Sequence, residues 1–145
     1  MAVCVATTVV SLPSRKTEYA RSLLPGSVPL ETLVANVANA GLMVSGFAKK
    51  DIKLIGRGMA DKAVEQARKQ MIPGYDQVKS RAVAAGAEGV CISGAGPSML
   101  AIVDKRRSEP KKVLDAMIAA FAQGGVRSGG YVTRVGKGAR VVKGS

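Results

Sequence analysis

The 145-residue chain contains no histidine and no tryptophan, and aromatic residues make up only 3% of it. Without histidine, the common zinc spacings are closed to it, and so is any Ser/His or Cys/His nucleophile pair. Its two cysteines, Cys4 and Cys91, lie inside apolar runs. They read as small buried hydrophobes, not as a disulfide or a metal site. A core this poor in aromatics must be built from Val, Ile, Leu, Ala and Met. No apolar run approaches the length of a bilayer crossing, and the opening MAVCVATTVV lacks the basic segment that precedes a leader's apolar stretch. The expectation is a cytoplasmic protein with no membrane partner. Acidic residues are scarce too: 10, against 22 Lys and Arg, leaving a net charge of +12. Such an excess can serve nucleic acid, nucleotides or an acidic partner. The basic clusters are small, however (Lys49-Lys50, Lys105-Arg106-Arg107, Lys111-Lys112), and lack the interleaved aromatics on which single strands stack. They read as solvated surface, with no nucleic acid bound.

What the chain does have is glycine, and its most telling stretch is GVCISGAGPSMLAIV, Gly89 to Val103. Two apolar runs, Val90-Cys91-Ile92 and Met99 to Val103, flank Ser93-Gly94-Ala95-Gly96-Pro97-Ser98. That pattern fits two buried strands joined by a loop of small residues. Gly94 and Gly96 permit backbone angles closed to other residues and let a ligand or another backbone approach. Successive N–H groups in such a turn can cup an anion. A Gly-rich hairpin with no ligand fits the same spacing, and the spacing alone favours it.

Ala2 to Val10 reads as a strand buried on both faces. Beginning inside a central strand suggests that something normally precedes it. Pro13 and Ser14 introduce a short helix over about Arg15 to Leu23, ended by Pro25-Gly26. Thr17 and Arg21 share a face of it. They are either a solvated helix surface or a hydroxyl and a guanidinium aimed at one carboxylate. Leu30, Leu33, Val34, Val37, Ala38 and Gly41 follow helical spacing within an amphipathic helix from Pro29 to about Ala48. Asn36 and Asn39 are either polar-face residues or held by neighbours. Asp51 caps a further helix that Gly56-Arg57-Gly58 interrupts or ends. The next helix runs from about Asp61 to Lys69, and another carries Tyr75, Val78, Ala82 and Ala85 and stops at Gly86. After the hairpin, Glu109-Pro110 opens a helix with a core face of Val113, Leu114, Met117, Ile118 and Phe121. Tyr131 to Val135 and Ala139 to Val142 read as final strands. This order argues for an α+β sandwich: a small, mainly antiparallel sheet with helices packed on one face.

Four segments carry a family resemblance that spans about Val3 to Val142. Gly86-Ala87-x-Gly89-x-x-Ile92-Ser93-Gly94-Ala95-Gly96-Pro97-Ser98 resembles the third, glycine-rich motif of the galactokinase, homoserine, mevalonate and phosphomevalonate kinase superfamily. The other three are Lys16-Thr17-Glu18-Tyr19-Ala20-Arg21, Asp61-Lys62-x-x-Glu65-x-x-Arg68 and Met71-Ile72-Pro73-Gly74-Tyr75. These are similar to homoserine kinases in particular. The resemblance implies a C-terminal, substrate-side domain over residues 1–145, with a ferredoxin-like fold, and a homo-oligomer. It implies ATP-dependent phosphorylation of the L-homoserine hydroxyl, a step towards threonine. Thr17, Arg21 and Arg68 match family positions that bind the amino-acid substrate. Ser93, Gly94, Ala95 and Gly96 would support the phosphate-binding loop, and no residue of this chain is implied as catalytic or as a metal ligand.

The chain departs from the family in two respects. Gln66 stands where proline commonly follows the glutamate. More importantly, the Pro-x-x-x-Gly-Leu-Gly-Ser-Ser phosphate loop of the superfamily's N-terminal half is missing, with no Walker loop in its place. ATP and Mg²⁺ are therefore expected to be bound mainly by that half, as a separate domain or complementary chain, and this chain to be inactive alone. A stand-alone amino-acid-binding or regulatory module is the alternative. Apolar surface is expected where the missing half would pack, with a tendency to self-associate.

Overall fold

The computed structural model describes residues 1–12, 14–139 and 141. In chain order the elements are β1 (Ala2–Thr8), α1 (Lys16–Ser22), α2 (Leu30–Lys49), α3 (Ile52–Gly58) and α4 (Val64–Arg68). A 3₁₀ turn (Lys69–Met71) follows, then α5 (Tyr75–Ala84), β2 (Gly89–Ile92), β3 (Met99–Val103), α6 (Pro110–Gln123) and β4 (Ser128–Thr133). The strands form one sheet in the order β2-β3-β1-β4, with every neighbouring pair antiparallel. Helices connect β1 to β2 and β3 to β4, while β2 and β3 form a hairpin. This is the ferredoxin-like split β-α-β arrangement, the α+β sandwich the sequence suggests.

Side chains alternate across a strand, so the registers sort the apolar residues onto two faces. Cys4, Ala6, Met99, Ala101 and Val103 point towards Val78 of α5 and Val113, Met117 and Phe121 of α6, forming the main core. Phe121, Met99 and Met117 are its largest fully buried side chains. Val3 and Ile102 point the other way and meet Ile55 and Met59. Helices α5 and α6 thus cover one face, and α3 adds a smaller cluster on the opposite one.

Two local expectations need correction, and one pair of alternatives resolves. Gly56-Arg57-Gly58 ends α3 without interrupting it, the helix running through to Gly58. The glycines also serve close approach: a Cβ on Gly56 would collide with the Glu88 carbonyl, and one on Gly58 would lie 2.6 Å from Asn39 O and Met43 N. The penultimate strand forms over Ser128–Thr133 instead of 131–135, because β4 pairs along β1 from Thr8↔Ser128 to Val3↔Thr133. Cross-strand pairing outweighs the poor strand propensity of Gly129 and Gly130. Of the last expected strand, residues 139 and 141 have no regular structure, and Arg140 and Val142, like Pro13, lie outside the described residues.

Helix α2 is amphipathic with its apolar stripe outward. Leu30, Val37 and Val44 are 74%, 64% and 71% exposed. Its inward side mixes apolar and polar contacts: Gly46 is buried and Met43 packs against the cluster of Ile55 and Met59, while Asn36 Nδ2 donates to Asp61 Oδ1 (3.1 Å), Asn36 Oδ1 accepts from the Lys62 N–H (2.8 Å), and Asn39 Nδ2 donates to the Ala60 carbonyl (2.6 Å). The asparagines are held by neighbours.

Asp104 closes the turn between β3 and α6. Its carboxylate accepts from the Arg106 N–H (3.0 Å), Nε (3.0 Å) and Nη2 (2.7 Å). The Arg106 hydrogen bonds hold its pKa at about 2, below the ordinary 3.8. A lowered carboxylate pKa stabilises the fold above the unfolded value and loses that contribution as pH falls towards the folded one. We expect wild type to be more stable than Asp104→Asn at about pH 5, with the gap closing towards about pH 2. Thermal unfolding across that range is the check.

Candidate functional site

The site is organised by α4, a five-residue helix too short to hold itself together in water. Its start is tied down by Asp61, whose Oδ1 accepts the N–H groups of Ala63 (2.8 Å) and Val64 (2.9 Å) while bound to Asn36 of α2. Its middle is tied by Glu65, whose side chain is 3% exposed. Glu65 Oε1 accepts the Ile92 N–H at 2.9 Å, and Oε2 accepts Lys79 Nζ of α5 at 2.6 Å. Lys79 Nζ also donates to the Tyr75 hydroxyl, at 3.0 Å. One side chain therefore joins α4, α5 and the end of β2.

That anchoring sets Arg68, the last residue of α4. Its Nε donates to the Ala20 carbonyl of α1 at 3.1 Å, and its Nη1 to the Gly94 carbonyl at 3.4 Å. The guanidinium has five N–H donors, so most of the fork remains available beyond these two bonds.

The loop on the far side is shaped by its glycines. Gly94 has φ +60° and Gly96 φ +84°, both in the left-handed region. The Ser93 N–H donates to the Ser98 carbonyl (2.8 Å) and the Gly96 N–H to the Ser93 carbonyl (3.1 Å). Gly96 is buried against Ile92 and Ile72, whereas Gly94 faces open space. Ala95 is half-buried against the main core.

Arg68 and Gly94 are in contact, and Arg68 also grips α1 at the residue before Arg21. Thr17 and Arg21 are themselves exposed on α1, and their side chains make no hydrogen bond among the described residues. They do not line the cavity of about 70 Å³ between α4 and the loop, which is walled by Asp61, Val64, Glu65, Arg68, Cys91, Ile92 and Gly94. That volume is well below a typical ligand pocket, so the cavity alone is no substrate site.

The neighbouring titratable groups are not nucleophiles. Burial above all, then the Glu65 charge, pushes the Cys91 thiol up to about 11. Burial and the hydrogen-bonded Glu65 likewise raise the Tyr75 phenol. Both stay protonated at neutral pH. Among the described residues, no three His, Cys, Asp or Glu side chains come together to hold a metal. The arrangement leaves guanidinium donors of Arg68 free to meet an anionic group, and no acid–base pair is displayed among the described residues.

Sequence reasoning passed over Glu65, Asp61 and Asn36 as working parts. Asp61 had a readable signal, an Asp standing just before a helix. Glu65 had none, because its partners Lys79 and Ile92 are distant in sequence.

The chain is similar to known proteins over most of its length. The family model described as "GHMP kinases C terminal" matches residues 43–123. The chain is 44% identical over 126 residues to the homoserine kinase of Methanocella arvoryzae, covering 87% of this chain and 41% of that protein. It is 39% identical over 137 residues to the homoserine kinase of Halorubrum lacusprofundi, covering 93% and 46% respectively. The crystal structure of homoserine kinase from Cytophaga hutchinsonii superposes with a TM-score of 0.83 at 36% identity, over 92% of this chain and 41% of that one. This chain spans less than half the length of each.

Proposed function

The chain belongs to the GHMP kinase family, and on that premise we propose that it is the C-terminal half of a homoserine kinase. In this reading the complete enzyme moves the γ-phosphoryl group of ATP onto the hydroxyl of L-homoserine, in the cytoplasm. This chain supplies substrate contacts. The observation that supports it best is the Arg68 clasp, which joins α1, the bearer of Thr17 and Arg21, to the glycine loop.

A small zwitterion offers its carboxylate as the natural handle for guanidinium groups. Arg21 and the spare donors of Arg68 take that carboxylate, because a planar fork matches it in geometry and charge. The Thr17 hydroxyl completes the grip. With the acid end fixed, the side-chain hydroxyl is held in one direction, and orientation of this kind can lower a barrier by several kcal/mol. The Ser93–Gly96 turn backs the phosphate-binding loop of the other half. ATP supplies the phosphoryl group and Mg²⁺ neutralises its developing charge. In this reading the metal is held with the nucleotide mainly by the other half. The work of the chain is accordingly binding and positioning.

The test is complementation. Mixed with the N-terminal part of the Methanocella arvoryzae enzyme, the chain should restore homoserine-dependent ADP formation, which neither part shows alone. Turnover of another alcohol, with none of homoserine, would overturn the substrate assignment.

A further inference from the structure

Helix α4 carries Arg68 at its far end, and a five-residue helix points wherever its head is held. Three backbone N–H groups at that head, those of Lys62, Ala63 and Val64, find acceptors in side chains. Asp61 Oδ1 takes Ala63 (2.8 Å) and Val64 (2.9 Å), and Asn36 Oδ1 takes Lys62 (2.8 Å). Asn36 Nδ2 then donates to the same Asp61 Oδ1 at 3.1 Å, which joins the two caps into one unit. Among side chains of this length, an amide alone can accept from Lys62 and donate to Asp61 at once.

The unit stands on a stiff base. Asn36 belongs to α2, and α2 lies so close to α3 that a Cβ on Gly46 would sit 2.7 Å from Ile55. Helix α3 is pinned in turn to the back of the sheet, where Ile55 and Met59 meet Val3 and Ile102. Asn39 adds its bond to the Ala60 carbonyl just ahead of the caps. Close packing of this kind passes a displacement on instead of absorbing it.

The geometry points to Asn36 as a positioning residue for Arg68. Glu65 holds the middle of α4, and Asn36 with Asp61 holds its start. Two fixed points give a short rod its direction, and so fix where the guanidinium meets Ala20 O and Gly94 O. The back of the sheet, through α3, α2 and this one amide, therefore sets an arginine at the candidate site. That the setting governs the grip on a substrate carboxylate rests on the kinase reading; the setting itself does not.

The test has one arm for each. In the chain alone, NMR follows solvent exchange of the Arg68 Nε–H, which is bonded to Ala20 O. Asn36→Ala should speed it by about tenfold or more, while alanine keeps α2 helical. The control is the Arg106 Nε–H, bonded to Asp104 and outside this chain of contacts; its rate should not move. Asn36→Asp keeps the shape and the acceptor for Lys62, but sets two carboxylates against each other. It should match Asn36→Ala at neutral pH. In the reconstituted enzyme, Asn36→Ala should raise the homoserine KM about tenfold and leave the ATP KM alone. In an Arg68→Ala background it should add nothing further. Unchanged Arg68 exchange, equal acceleration of Arg68 and Arg106, or an Asn36→Asp variant that behaves as wild type overturns the inference. So does a rise in homoserine KM that persists in full without Arg68. If Arg68→Ala itself leaves the homoserine KM unaltered, the kinase reading of the site falls, and the exchange rates alone decide for or against Asn36.

Discussion

Arg68→Ala should lower kcat/KM for homoserine in the reconstituted kinase by about a hundredfold or more, or about 2.7 kcal/mol of lost transition-state stabilisation. Two losses combine. On the proposed reading the carboxylate loses one of two guanidinium partners, and α1 loses the bond from Arg68 to Ala20, the residue before Arg21. Arg68→Lys should recover little, because an ammonium on a flexible stem cannot span Ala20 O and Gly94 O while presenting a fork to a carboxylate. The companion variant is Arg21→Ala. The Arg21 side chain makes no hydrogen bond among the described residues, so its loss should raise the KM for homoserine without moving the unfolding temperature. Arg68→Ala should do both, since two hydrogen bonds to carbonyls are worth about 1–3 kcal/mol together. KM for ATP should barely change in either variant. If both variants leave the KM for homoserine unaltered, the two arginines are not at the substrate and the assignment of this site falls.

How far the chain can be read without coordinates depends on the range of the signal. The hairpin was legible because its cue is local: two apolar runs bracket Gly94 and Gly96, and both glycines adopt the left-handed angles that glycine alone tolerates easily. The α6 core face was legible for the same reason, a 3.6-residue period between a Pro at the first helical position and Gly124 at the end. Long-range information failed in two ways. The position of β4 is decided by pairing with β1, residues 2–8, and no property of Gly129 or Gly130 announces it. The inner and outer sides of α2 cannot be told from its period, because periodicity locates an apolar stripe without saying what covers it. Here the stripe faces out and the asparagines face in, the reverse of an isolated domain's usual habit. The site shows the same division. Arg68 and the glycine loop were visible as motifs, whereas the carboxylate that holds them in place was visible only as a letter in a spacing.

That carboxylate yields the second large effect. Glu65→Ala should destabilise the fold by about 2–4 kcal/mol, a substantial part of the 5–15 kcal/mol that a domain typically has. The cost arises mainly at β2, where the Ile92 N–H loses its acceptor in a place that water reaches poorly. Lys79, whose side chain is 31% exposed, can turn outward and limit its own penalty. Glu65→Gln keeps an acceptor for Ile92 and should cost about half as much. Lys79→Met should be worse than Glu65→Gln, because it leaves a buried carboxylate without its counter-charge. The double variant Glu65→Gln/Lys79→Met should then cost less than the sum of the two, the mark of a pair whose members depend on each other. Calorimetric unfolding of the four proteins measures this, and strictly additive costs would show that the contact does little. The consequence reaches beyond stability. Glu65 lies one turn before Arg68 on a helix that cannot stand alone, so Glu65→Ala frees Arg68 from Gly94 without touching the arginine. Homoserine KM should therefore rise in Glu65→Ala even at temperatures where the protein is fully folded, and Glu65→Gln should restore most of it.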